Sequence, residues 1–90
     1  MAKLWFQDHR GQERLIADCE TLNDVYVEID KFIADANDRW PEKRKFQRLY
    51  TRVWKENNRW KFDVGSWSEF FYWESPKTYE ELERESRNEQ

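Results

Sequence analysis

The chain has one cysteine, one histidine, two glycines and two prolines, and no apolar run longer than the four residues Phe70 to Trp73. A single cysteine excludes an internal disulfide framework and suits a reducing compartment. Lone Cys19 and lone His9, with no Cys-x-x-Cys pair, cannot assemble the usual ligand set of zinc, so no metal is expected. The glycine-rich phosphate loops, the Gly-x-Ser-x-Gly elbow and the His-Glu-x-x-His helix are all missing, which removes the common nucleotide and hydrolase signatures. Four apolar residues fall far short of a bilayer span, and MAKLWFQDHR carries no apolar signal-peptide core. A cytoplasmic protein with no cofactor and no membrane contact is the expectation.

What the chain does contain is rings and charge. Of its 90 residues 18% are aromatic, with six Trp, and 39% are charged. A chain this short sits near the lower limit for a self-sufficient core, and a few large rings supply the buried area that length denies. The net charge of −3 hides a segregation: residues 1 to 38 hold four Lys/Arg against nine Asp/Glu, residues 39 to 61 nine against two, and residues 62 to 90 three against eight. An acidic protein therefore has a basic middle.

That basic middle contains the clearest fold signal, FQRLYTRVWKENNRWKFDV from Phe46 to Val64. Two alternating runs flank Asn57-Asn58, and Asn tolerates the positive φ of a tight hairpin turn. With the turn centred there, Glu56 faces Arg59, Trp54 faces Lys61, Arg52 faces Asp63 and Val53 faces Phe62. A one-residue slip would set charges against apolar groups, so the register is well specified.

An earlier hairpin is read from Lys3 to Gln7 and Arg14 to Cys19, with Leu4 and Phe6 facing Ala17 and Leu15 and Gly11 in the turn. That register opposes Asp8 to Glu13, which a bulge in the loop would relieve. Thr21 then caps a helix whose apolar stripe is Leu22, Val25, Tyr26, Ile29, Phe32, Ile33 and Ala36, ending near Asn37 to Arg39 ahead of Pro41. After Val64, Ser66 and Glu69 suit a short capped helix, but the rings of Phe70 to Trp73 favour a third meander strand. A loop of residues 65 to 67 would set Phe62 opposite Phe70 and Trp60 opposite Tyr72. The expected fold is α+β: an antiparallel sheet of about five strands, ββαβββ, with one amphipathic helix on one face. Residues 1–75 form one domain, and 76–90 an acidic tail that is a frayed helix or disordered despite a capping box at Thr78 and Glu81.

Chemistry is sparse. His9 lies in a turn and Cys19 alternates toward the core as an inert thiol, so no nucleophile or base is nominated and no enzyme is expected. Two binding faces remain. Cations Arg39, Lys43, Arg44, Lys45, Arg48, Arg52, Arg59 and Lys61 interleave with Tyr50 and Trp54, as single-stranded nucleic-acid grooves do, with Arg44, Lys45, Arg48, Tyr50, Arg52 and Trp54 as contacts. Against this, Lys61 and Asp63 find partners across the hairpin, and the isoelectric point near 5.2 is not that of a nucleic-acid domain.

The aromatic surplus points elsewhere. With Leu4, Phe6, Leu15, Ala17, Val53, Phe62, Val64 and Phe70 turned to the helix, the other sheet face receives Trp5, Ile16, Phe46, Tyr50, Trp54, Phe71 and Trp73. A sheet with one covered face should be polar there. Either the C-terminal segment folds over it, or a second copy or another protein packs on it, with Trp5, Tyr50, Trp54 and Trp73 as anchors and Arg48 and Arg52 as orienting charges.

The run DVGSWSEFFYW at Asp63 to Trp73, preceded by an LWFQD strand and a TLNDVYVEIDKFI helix, resembles small uncharacterised proteins encoded by phages and prophages of Gram-positive bacteria, over residues 3 to 74. The resemblance implies a cytoplasmic product that acts in the infected host on a host or defence protein. It assigns no functional residue. The expected function is a non-enzymatic protein-binding module, or, as the alternative, single-stranded nucleic-acid binding by the central hairpin.

Overall fold

A computed structural model describes residues 2–39, 51–65 and 68–88. Strands β1 (Ala2–Gln7) and β2 (Glu13–Cys19) precede helix α1 (Leu22–Arg39). Strands β3 (Arg52–Glu56), β4 (Arg59–Asp63) and β5 (Phe70–Trp73) follow, and then helix α2 (Tyr79–Asn88). All pairings are antiparallel and the sheet order is β2-β1-β5-β4-β3, so the last strand lies at the centre and joins the two hairpins.

The central hairpin has the register read from its sequence, Arg52 with Asp63 through Glu56 with Arg59. Asn57 and Asn58 both take positive φ, 51° and 67°, the backbone of a two-residue turn whose twist matches that of the strands. In the first hairpin Gly11 has φ 84°, and the Asp8 carboxylate accepts the N–H groups of Arg10 and Gln12 at 2.9 and 3.0 Å. Asp8 is thereby drawn into the loop and away from Glu13, which faces Gln7 instead. The relief comes from a bulge, as expected, but within the strand: Leu4 faces Ala17 whereas Trp5 faces Leu15. Ile16 is the extra residue and packs against the core, while Leu15 turns to the other face and is 51% exposed. The inward position expected for Leu15 is thus corrected, because one extra residue exchanges the faces of its neighbours.

Helix α1 begins with reciprocal caps. The Thr21 hydroxyl accepts the Asp24 N–H, and the Asp24 carboxylate accepts those of Glu20 and Thr21. Leu22, Val25, Ile29 and Ile33 are buried against the sheet, and Tyr26 and Phe32 pack at the margin of the core. Phe32 stacks on Phe6 at 4.3 Å and meets Phe71 edge-on at 5.6 Å.

Strand β5 departs from the sequence expectation by one residue. Phe62 faces Phe71, Trp60 faces Trp73 and Lys61 faces Tyr72. Phe71 and Trp73 therefore lie under α1, and Phe70 and Tyr72 on the opposite face, reversing the expected assignment. The reason lies in β1, which pairs with the other edge of β5: Leu4 meets Trp73 and Phe6 meets Phe71. In this register the Trp73 indole, fully buried, donates its N–H to the Cys19 carbonyl at 3.0 Å, and the Tyr72 hydroxyl reaches Gln7 on the outer face. The other register would take the indole away from the Cys19 carbonyl.

The acidic tail is the helix α2, and it is docked. Thr78 and Glu81 form the capping box, Leu82 is 7% exposed, and Glu85 accepts both the Lys77 ammonium at 2.7 Å and the Leu22 N–H at 3.1 Å. The last contact ties α2 to the free amides at the start of α1, where a carboxylate also suits the helix dipole.

Trp73→Phe is expected to lower stability by about 2–3 kcal/mol, since it leaves a cavity and removes the buried hydrogen bond to the Cys19 carbonyl. Trp5→Phe, which removes an indole N–H that is buried with no acceptor among the described residues, should cost less than about 1 kcal/mol. Urea unfolding of the two variants beside the parent protein compares them.

Candidate functional site

The face of the sheet opposite the helices is built by one row of side chains, one from each strand. Leu15 of β2 faces Trp5 of β1, Trp5 faces Tyr72 of β5, Tyr72 faces Lys61 of β4 and Lys61 faces Trp54 of β3. Strict alternation along each strand puts all five on the same side. Four of the five are apolar or aromatic, on a face where a sheet covered on one side ordinarily shows polar groups.

Two cations of this face, Lys61 and Arg59, sit on its rings. The Lys61 ammonium lies 4.1 Å from the centre of Phe70, 5.5 Å from Tyr72 and 5.7 Å from Trp54, with the Glu56 carboxylate at 3.5 Å. Burial alone would lower the pKa of Lys61, but the Tyr72 hydroxyl and Glu56 outweigh it and hold the ammonium above the ordinary lysine value. Arg59 lies 4.2 Å from the centre of the Tyr72 ring and reaches over β5 and β1 to grip Glu13 with two hydrogen bonds of 2.8 and 2.9 Å. The hydrogen bond from Arg59 draws Glu13 below the ordinary carboxylate value. Arg52 meets Asp63 at 2.7 Å. Burial pushes Asp63 up, yet the N–H of Gly65 and the Arg52 guanidinium hold it below its ordinary value. Trp54 donates its N–H to Glu56 at 3.2 Å. Each of the three cations of β3 and β4 on this face thus has its own carboxylate.

Of the residues expected to bind, Trp5, Trp54 and Arg52 are brought together on this face, and Trp73 is core beneath α1. Arg44, Lys45, Phe46, Arg48 and Tyr50 lie outside the described residues. Sequence reasoning missed Leu15, Phe70 and Tyr72, and the signals that place them, the β2 bulge and the pairing of β1 with β5, are contacts between distant segments. His9 is exposed in the first turn. Cys19 is fully buried, and burial, followed by the nearby Glu28, Asp24 and Asp18 carboxylates, pushes its thiol up to about 11, so it stays protonated near neutrality. Among the described residues no group of three His, Cys, Asp or Glu could hold a metal ion, and no helix is long and apolar enough to cross a membrane.

The lowered carboxylates fix a pH dependence. Stability from Glu13 and Asp63 is fully present above their unfolded pKa values and is lost as pH falls through their lowered folded ones. Chemical unfolding followed from pH 7 downward should show a loss that begins near pH 4, about where free carboxylates protonate. The double variant Glu13→Gln with Asp63→Asn should flatten that slope while lowering stability at pH 7. Comparison of the chain with protein-family models, with curated proteins and with solved structures returns no match.

Proposed function

We propose that this protein is a non-enzymatic binding module whose outer sheet face docks on another protein. The observation that carries the reading is the five-strand row from Leu15 to Trp54, apolar at both ends, with Leu15 half exposed at one edge of the sheet. Trp5, Trp54 and Phe70 supply ring surface, and rings of this kind dominate the energetic centres of protein interfaces. The cations support orientation more than charge attraction, since Glu13, Glu56 and Asp63 already balance Arg59, Lys61 and Arg52. The resemblance to phage and prophage products adds a class of partner, a host or defence protein met in the bacterial cytoplasm.

Single-stranded nucleic acid is the second reading, favoured by the stacking of Lys61 and Arg59 on Phe70 and Tyr72. It would draw on Arg44, Lys45, Arg48 and Tyr50 together with Arg52 and Trp54. Its weakness is the internal pairing of Arg52, Arg59 and Lys61, which leaves these three little net charge to offer phosphates.

Leu15→Glu and Trp54→Ala should keep the fold, shifting stability by less than about 1.5 kcal/mol, because both side chains lie on the outer face. Each should weaken association with a captured host protein, or self-association seen by sedimentation across concentration, by at least about tenfold. Full retention of association in both variants would sink the protein-docking reading. Binding of a mixed-sequence oligonucleotide that falls steeply with salt would replace it with the second.

A further inference from the structure

The two edges of the sheet are closed in different ways. At one edge β2 carries the bulge at Ile16, whereas β3 at the other is a regular strand of five residues, RVWKE. The Lys55 N–H points away from β4, since it donates to the Tyr79 hydroxyl at 3.1 Å. Hydrogen bonding alternates between the two sides of an antiparallel strand, so the N–H and C=O groups of Val53 and Lys55 lie on the open edge and those of Arg52, Trp54 and Glu56 face β4. Among the described residues no group takes the outward N–H of Val53.

One side chain therefore covers this edge. Tyr79 is 59% exposed and meets Trp60 edge to face, ring centres 4.7 Å apart, while α2 itself packs against α1. The groove beside it, lined in part by Val53, Tyr79 and Leu82, is open. Rotation of Tyr79 into solvent frees the Lys55 N–H and leaves an edge ready to pair with another strand. The sequence of β3 selects that strand. Set antiparallel to a second copy of itself, β3 keeps its outward groups in phase when the two-fold axis falls on a residue rather than between two. An axis on Lys55 opposes two ammonium groups, one on Val53 sets Arg52 against Trp54, and only one on Trp54 pairs all five residues.

We propose that β3 pairs with β3 of a second copy of this chain about a two-fold axis at Trp54, with Tyr79 as the gate. Val53 and Lys55 then exchange backbone hydrogen bonds with the partner's Lys55 and the partner's Val53, and Arg52 faces the partner's Glu56 on each side of the axis. These side chains already have partners within the chain, Asp63 for Arg52 and Lys61 with Trp54 for Glu56, and the new pairs extend those contacts into one network across the axis. The two Trp54 rings stand side by side on the outer face, a cross-strand aromatic pair of the kind that stabilises sheets. Two five-stranded sheets become one. This contact is separate from docking on the outer face, where Leu15 lies at the far edge of the sheet.

The test is sedimentation equilibrium of the full chain and its variants. The parent protein should show a concentration-dependent dimer, and Tyr79→Ala, which opens the gate, should tighten it about tenfold. Arg52→Glu and Glu56→Arg each place like charges at both crossings and should weaken the dimer about tenfold, whereas an equimolar mixture of the two should recover association close to that of the parent. Each of these variants loses an ion pair of its own fold, but mixing changes neither monomer, so recovery reports the interface alone. Leu15→Glu should leave the dimer unchanged; its loss there would assign self-association to the outer face and overturn the edge contact. Absence of a dimer in both the parent and Tyr79→Ala, a dimer no tighter in Tyr79→Ala, or a mixture no tighter than either charge variant alone would each overturn the proposal as well.

Discussion

The central position of β5 is the constraint on which the rest of the molecule depends. Four residues, Phe70 to Trp73, bond to β1 on one side and β4 on the other, and they alone join two hairpins that are otherwise separate two-stranded ribbons. A lone hairpin is marginal in water, whereas a five-stranded sheet offers a continuous face to bury. Trp73 makes the join unique in register. Its ring lies between Leu4 and Trp60, and its N–H reaches the end of β2 at Cys19, so one side chain reads the position of four strands at once.

From this join both faces follow. Under α1 the rows are Arg14, Phe6, Phe71, Phe62 and Val53, and beside it Ala17, Leu4, Trp73, Trp60 and Lys55: apolar at the centre, charged only at an edge. On the other side the row from Leu15 to Trp54 remains ring-rich, with Arg59 and Lys61 close over its rings and Arg52, Arg59 and Lys61 each matched to a carboxylate. Ion pairs so arranged contribute modestly to stability. Their larger effect is on chemistry, since they leave Arg52, Arg59 and Lys61 each matched by a carboxylate on an aromatic surface.

Helix α2 shows how a polar segment is ordered. Only Tyr79 and Leu82 are apolar in its first turns, too little to hold a free helix together. Docking supplies what propensity lacks: Leu82 enters the core, Tyr79 covers the edge of β3 by accepting the Lys55 N–H, and Glu85 caps α1. The cover also protects an edge strand that would otherwise present open backbone groups to a neighbouring chain, as the bulge does on β2 at the opposite edge.

Whatever depends on near neighbours is legible along the chain. Asn57-Asn58 sets the central turn and hence the register of β3 and β4, Thr21 and Asp24 set the start of α1, Gly11 sets the first turn, and the three-and-four spacing from Leu22 to Ile33 sets the buried stripe. Those signals act within a few residues, where backbone angles and side-chain spacing are the whole physics. Contacts between distant segments set the bulge at Ile16, the one-residue choice in β5 that sends Trp73 inward and Tyr72 outward, and the ordering of α2. Alternation in FFYW is equally good in either phase, because every residue is large and apolar or nearly so. The choice fell to β1, sixty-odd residues away in the chain, whose Leu4 and Phe6 match one phase and bring the indole to the Cys19 carbonyl.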